Sequence, residues 1–359
     1  MHPALQSEIS GTTSISAQTQ LDALLHVAGI APLDGTGWIR VTGSDRVRWL
    51  NGMVTNAIQT LAPGEGCYNF VLNAQGRIQG DLTAWTLEDS ILLETSRDQL
   101  PALIAHFDHF IIMDDVELTD ITSQRSGLLI AGPQAPTHLK NNGVEVEPMY
   151  LTRVRWRSAW VDAIHAYSPL IPRYELWSDP ATIAALAAAL TAAGATSVSS
   201  EALEALRILS GTPRYGTDIR NTATAHELPQ ETAPIGVQSR ALHFTKGCYL
   251  GQEIVERIHS RGNVHRTFAG FQLTGALPTP GTVLTADSDS DSDSDSHSDA
   301  KPVGEFTSVA AIPLPTGPVQ LALGYIRREA LPVAALDRNL PLQYPGGTAT
   351  PIALPYRIS

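Results

Sequence analysis

Two cysteines in 359 residues, Cys67 and Cys248, are too few for a disulfide framework or a cysteine-built zinc site, and they show no C-x-x-C spacing. A reducing compartment is expected. No apolar run approaches the roughly 20 residues needed to cross a bilayer, so the chain is expected to be soluble, with no membrane partner. Basic residues are short too: 24 Lys and Arg against 36 Asp and Glu leave a formal charge of −12, which argues against direct binding to a nucleic-acid backbone. Six aspartates between Asp287 and Asp299 carry half of that charge. The phosphate-cradling patterns G-x-G-x-x-G and G-x-x-x-x-G-K-[ST] are missing. The first twenty residues hold no Lys or Arg and no apolar core, so they read as a flexible tail rather than a secretory or organellar leader, and a cytoplasmic location follows.

What is present suits more than one core, since 43% of the chain is hydrophobic and its length exceeds the usual single domain. Trp38 to Gly43 alternates as a half-buried strand, and Ser44 or Asp45 caps a helix that carries Val47, Leu50 and Val54 inward. Strand patterns follow at Tyr68–Asn73, Arg77–Leu87 and Ser90–Thr95, then a helix through Leu100, Leu103 and Phe107 and strands near Val116–Thr122 and Gly127–Ala131. A second set has strands at Tyr150–Arg157 and Ala159–Ala166, an alanine-rich helix from Ala181 to Ala193, and a helical run ending at Gly211. Helices with antiparallel strands predict two ferredoxin-like α+β lobes. Beyond residue 260, Gly/Pro-rich turns and short runs at Phe268–Leu273, Val319–Ile326 and Pro351–Ile358 predict a small β-barrel. Ser/Asp repeats over 286–300 form an expected disordered loop within it, and they lack the periodic glycine of a calcium-binding loop.

The run Lys246-Gly247-Cys248-Tyr249-Leu250-Gly251-Gln252-Glu253 sets a cysteine between glycines just before an amphipathic stretch with Ile254, Val255 and Ile258 on one side. A helix starting near Leu250 or Gly251 would put Cys248 at its positive end, with Lys246 adding a cation that favours the thiolate. His243, His259 and His265 bracket the motif. His106 and His109 lie three apart on a predicted helix without a third ligand, so no metal site is expected.

This octapeptide resembles the signature of the YgfZ family, folate-binding proteins of iron–sulfur cluster maintenance related to the T-protein of the glycine cleavage system. Three further segments fall in the matching order: Trp49–Asn56, Tyr68 with Leu72–Leu82, and Arg207–Asp218 followed by Leu228-Pro229-Gln230-Glu231. The resemblance runs from about residue 38 to the helix after Cys248 and loosens beyond. It implies two lobes over about 21–260 and a barrel over 261–359, arranged around a central channel for tetrahydrofolate or a derivative. It assigns Cys248 and Lys246 as the functional pair and Glu231 as the carboxylate that holds the pteridine. Tyr68 and Tyr215 become stacking candidates, Asn51 and Asn73 amides that orient loops or ligand, and Asp81 a further folate contact. Implied partners are iron–sulfur proteins or their assembly machinery.

One departure bears on activity. T-protein places an acidic pair at Gly80-Asp81, one member of which is required for aminomethyl transfer, and here glycine holds the first position. A shift of one residue along a strand turns a side chain to the other face, so Asp81 is expected not to substitute. That favours iron–sulfur maintenance over a folate-dependent aminomethyltransferase, with a binding scaffold in which Cys248 merely packs as a third reading.

Overall fold

The computed structural model describes residues 16–220, 241–261, 266–286, 301–330 and 341–358. The architecture is mixed α+β, with two sheets and a closed barrel. The Ser/Asp repeats of 287–300 and Glu231 lie outside the described residues. Among the described residues no helix is long and apolar enough to cross a membrane.

Helix α1 (Ala17–His26) begins inside the segment read as a flexible tail, which is the first correction to the sequence reading. Its cause is local. Ser16 caps the helix by accepting from the Thr19 amide at 3.1 Å, and Leu21, Leu24 and Leu25 share one face, which is buried. In chain order follow β1 (Gly29–Pro32), β2 (Thr36–Thr42), α2 (Arg46–Met53), β3 (Gly66–Leu72), β4 (Ile78–Thr86), β5 (Ile91–Ser96), α3 (Leu100–Asp108) and β6 (Glu117–Asp120). Strands in the order β3-β4-β5-β2-β6 make the first sheet, all antiparallel. Its helix-covered face buries Ile39, Val41, Leu82 and Leu93 against Trp49 and Leu50 of α2 and Leu103 and Phe107 of α3.

The second sheet uses β7 (Ser126–Ala131), β8 (Leu151–Trp156), β9 (Ala159–Ala166), β10 (Arg173–Ser178) and β11 (Thr196–Ser197), in the order β11-β1-β7-β10-β9-β8. Helices α4 (Ala135–Asn141) and α5 (Pro180–Ala192) cover one face through Leu139, Ile183, Leu186 and Leu190. Asp179 caps α5, accepting from the amides of Ala181 and Thr182 at 3.0 Å each. The uncovered faces of the two sheets meet each other, with Trp38, Trp85 and Leu92 of the first packed on Leu151, Ile164 and Trp177 of the second. The molecule thus stacks helix, sheet, sheet and helix, and the space between the sheets is where a ligand would be shielded from water.

Helix α6 (Ser200–Ser210) closes on Gly211, whose φ of 67° lets the chain reverse. After α7 (Gln252–Arg261), strands β12 (Arg266–Gly275), β13 (Val283–Ala286), β14 (Lys301–Leu314), β15 (Gly317–Arg327), β16 (Leu342–Tyr344) and β17 (Gly347–Ile352) close a barrel in the order β12-β15-β14-β13-β16-β17. Phe271, Leu284 and Phe306 fill it, while Phe268, Leu321 and Tyr325 face Leu21 and Leu25 of α1 and Leu209 of α6. The strand expected over Pro351–Ile358 stops at Ile352. From there the chain turns onto α6, where the Tyr356 amide donates to the Leu209 carbonyl at 2.8 Å.

Candidate functional site

Strand alternation puts Trp38, Glu94, Thr83 and Tyr68 in one row across the inner face of the first sheet, since Trp38 pairs with Glu94, Glu94 with Thr83 and Thr83 with Tyr68. Opposite them, β10 carries Arg173, Glu175 and Trp177 on its inner side. Glu175 is buried, and its carboxylate accepts from Arg173 Nη2 at 2.6 Å and Trp177 Nε1 at 3.2 Å. Glu94 accepts from Trp85 Nε1 at 2.9 Å and hydrogen-bonds Glu175. Burial first, then the neighbouring Glu175, raises the Glu94 carboxyl well above its ordinary value. Two carboxyl groups side by side form an acceptor-rich patch between two aromatic-lined sheets.

Further along the same face, Tyr68 Oη donates to Asp81 Oδ2 at 2.6 Å and Gln99 Nε2 donates to Oδ1 at 2.8 Å. Burial raises the Asp81 carboxyl above its usual range. Gly80 lies on the opposite face, where a Cβ would stand 2.8 Å from Gln99 Oε1 and from Leu103 Cδ2. This corrects the sequence reading of the Gly80-Asp81 pair. An acid at position 80 would be driven into α3, whereas Asp81 is the member that shares a face with Tyr68. The missing acid at position 80 therefore does not discriminate between the two activities. Tyr215 belongs to the cluster that covers this end, packed with Tyr68, Phe70 and Tyr249, and its hydroxyl donates to the Gln79 carbonyl at 2.7 Å.

The loop that carries the cysteine is pinned on either side of it. Lys246 Nζ donates to the carbonyls of Asn51, Val54 and Asn56, each at 2.6 Å, and lies 5.0 Å from the Tyr249 ring. The Leu250 amide donates to the Gly52 carbonyl at 2.9 Å. Gly251, at φ 83°, presses on the Asn73–Gly76 turn so closely that a Cβ would lie 2.5 Å from the Asn73 carbonyl oxygen. Tyr249 and Val255 are buried, while Cys248 is exposed. Helix α7 starts only at Gln252, four residues after Cys248 and beyond the expected Leu250 or Gly251. The helix dipole acts within its first turn, so it does not account for an activated thiol here. Nor is Lys246 the cation beside that thiol, because three carbonyls hold its ammonium.

Burial lowers the Lys246 pKa from 10.5 to about 8. Below about pH 8 both folded and unfolded chains carry the charge; between about 8 and 10.5 the unfolded chain holds a proton that the folded chain has lost. The unfolded state then binds more protons, so this group's contribution to stability rises with pH through that window. Urea unfolding at pH 7 and pH 9.5 should show the wild type gaining on Lys246→Met at the higher pH; a difference that shrinks or stays constant would contradict the assignment.

The structure brings Tyr68, Asp81 and Tyr215 together, and Asn51 and Asn73 take the loop-orienting half of their expected role. The Asn51 amide oxygen accepts from the Ile58 amide at 2.9 Å, and the Asn73 oxygen accepts from the Gln75 and Arg77 amides at 3.0 Å each. Both amides fold turns instead of facing a ligand. His243 is exposed, and His265 lies outside the described residues. Among the described residues no group of three or more His, Cys, Asp or Glu is placed to hold a metal ion. Sequence reasoning missed Glu94 and Glu175. The available signal was a glutamate on the inward register of an otherwise apolar strand, with Leu92 two residues from Glu94 and Trp177 two from Glu175.

Comparison with known proteins agrees with this architecture. The family described as GCVT N-terminal domain matches residues 13–233. A putative chloroplastic transferase of Arabidopsis thaliana is 27% identical over 317 residues, covering 86% of this chain and 68% of that protein. The mitochondrial iron–sulfur cluster assembly factor IBA57 of Mus musculus is 26% identical over 318 residues, covering 79% and 80%. The crystal structure of the glycine cleavage system aminomethyltransferase T from Bartonella henselae superposes with a TM-score of 0.76 at 20% identity, covering 95% of this chain and 89% of that one. With its larger part matched and the fold shared almost end to end, the chain belongs to the GCVT N-terminal domain family.

Proposed function

We propose that the protein binds tetrahydrofolate or a close derivative between its two sheets and supports assembly or repair of iron–sulfur clusters in other proteins through the Cys248 thiol. The observation that carries this reading is the contrast within one loop: Lys246, Tyr249 and Gly251 are fastened to the first lobe, while Cys248 between them faces solvent. A packed scaffold residue would be buried, as Cys67 is, where burial pushes the thiol up to about 11.

The residues between the sheets suit a pterin in their donor and acceptor chemistry. A pterin edge presents an amino group and ring N–H donors, which the Glu175 and Glu94 carboxyl groups accept, and Tyr68 offers an aromatic face. Bound folate supplies a nitrogen that carries a one-carbon unit. Glu175 is a further carboxylate suited to the pteridine role that the sequence reading gave to Glu231, which lies outside the described residues. Iron–sulfur proteins or their assembly machinery are the partners this reading requires, in keeping with the process for which the mouse relative is named.

Asp81 favours a second reading, folate-dependent aminomethyl transfer. Its carboxyl is oriented by Gln99 and Tyr68 on the inner face, where a group of raised pKa would serve a reacting nitrogen as acid or base. The two are separated by deleting the gene in its host and restoring wild type, Cys248→Ala or Asp81→Asn, with one iron–sulfur enzyme activity and glycine cleavage measured in each strain. The expected result is loss of the iron–sulfur activity alone, unrestored by Cys248→Ala. Loss of glycine cleavage, restored by Cys248→Ala and not by Asp81→Asn, would replace the first reading with the second.

A further inference from the structure

A recess opens between the sheets at the far end of the Glu94 row. Asp81 is tied to Thr95 near the end of β5, whereas this groove, about 760 Å³ in volume, takes Ser90 and Leu92 from the start of that strand. Glu94 separates the two. The groove has a lining unlike that of the folate face, in which arginines alternate with tryptophans. The Arg125 guanidinium lies 4.4 Å over Trp38 and 5.5 Å from Trp177, with its side chain only 9% exposed. It bonds Asp162 at 2.9 Å, and Asp162 also reaches Arg153 Nε at 3.5 Å. Pairing of Arg153 with Asp162 and of Arg155 with Trp160 across the β8–β9 hairpin extends the series outward, so that the Trp160 ring sits 6.0 Å from each of two guanidinium groups.

Two features of this lining are unsatisfied by the fold itself. Trp160 leaves 54% of its surface in water, an indole exposed at the mouth of a groove. Across from it, Arg40 is exposed and makes no ion pair among the described residues. Asp162 is shared by two arginines, and burial holds Arg125 below its ordinary range. A flat aromatic ring joined to an anion would answer both features. The volume suits one small molecule. Glu88, Asp89 and Asp179 also line the groove, and together they repel a long polyanion.

We propose that this groove binds a free nucleoside monophosphate, with its base stacked on Trp160 and its phosphate held by Arg40 and Arg153. The site adjoins the Glu94–Glu175 patch, with which it shares Trp177, and does not depend on the function proposed above. Its test is calorimetric titration of the full chain with AMP, with adenosine and inorganic phosphate as partial ligands. AMP should bind with a submillimolar Kd and each partial ligand at least about tenfold more weakly, because stacking and charge contribute together. Trp160→Ala and Arg40→Gln should each weaken AMP about tenfold while leaving the thermal midpoint unchanged, since both side chains are exposed. The proposal is overturned if AMP gives no saturable heat up to about 1 mM, if phosphate alone binds as well, or if neither variant changes affinity. It is equally overturned if a single-stranded RNA oligomer binds this groove more tightly than AMP, or if 5-formyltetrahydrofolate displaces AMP from it.

Discussion

Asp218→Ala should lower the free energy of unfolding by about 3 to 5 kcal/mol, the largest single-residue effect on stability expected outside the apolar cores. Asp218 is fully buried where the second lobe meets the barrel. Its Oδ2 accepts from Arg207 Nη1 at 2.6 Å and from the Arg214 amide at 2.9 Å, and its Oδ1 accepts from the Thr307 and Ser308 hydroxyls on β14. Arg207 in turn donates to the Thr212 carbonyl and to Ser308, both at 2.6 Å. Removing the carboxylate takes the shared acceptor from a guanidinium, a backbone amide and two hydroxyls in a dry joint, and such a penalty is a large share of the roughly 5 to 15 kcal/mol that holds a domain together. Glu204→Gln is the control. Its carboxylate also meets Arg207 but is 32% exposed, so its loss should cost no more than about 1 kcal/mol. Urea titration of both variants decides the matter, and equal losses would mean that the Asp218 joint has no special weight.

Glu175→Gln should weaken binding of 5-formyltetrahydrofolate by about 30- to 100-fold. The amide keeps the shape of the side chain but offers one oxygen where a pterin edge presents two donors, and two charge-assisted bonds are lost, together about 2 to 3 kcal/mol. Glu94→Gln should do much less, because burial and the neighbouring Glu175 already disfavour a charge on Glu94, and an uncharged amide loses little there. Calorimetric titration of both variants, with thermal midpoints recorded alongside, separates loss of a ligand contact from loss of the fold. If Glu94→Gln were the more damaging of the two, the charge would have been assigned to the wrong partner. If neither mattered, the folate reading would lose its central contact.

The lobes and the barrel were legible because binary patterning marks each element and turn residues punctuate it. Trp38 to Gly43, the three strands up to Thr95 and the helix through Phe107 stand where alternation and helical spacing put them. Helix α1 escaped notice because polar residues surround its three leucines, and the burial of Leu21 and Leu25 depends on a barrel almost 300 residues away. The site was legible as a motif and poorly legible as geometry. Glycines at 247 and 251 and the cysteine between them announced a special loop, but only the fold shows that the neighbouring lysine holds backbone carbonyls instead of the thiol. For Gly80-Asp81, alternation was correctly invoked and then assigned to the wrong face, since nothing local says which side of β4 the helix covers. Glu94 and Glu175 come from strands some 80 residues apart, and no short motif records their meeting.

The seat of α1 on the barrel also sets the order in which the chain is able to finish folding. Leu21 and Leu25 leave the ribosome early, yet Leu321 and Tyr325, against which they pack, follow roughly 300 residues later. At a synthesis rate of about 5 to 20 residues per second, that is about 15 to 60 s during which an apolar helix face has no barrel to cover it. The two lobes are complete well before then. A nascent chain of this protein therefore passes through a stage in which the Leu21 and Leu25 face of its first helix still lacks its barrel partners, and truncation anywhere in β15 would leave that face as bait for chaperones.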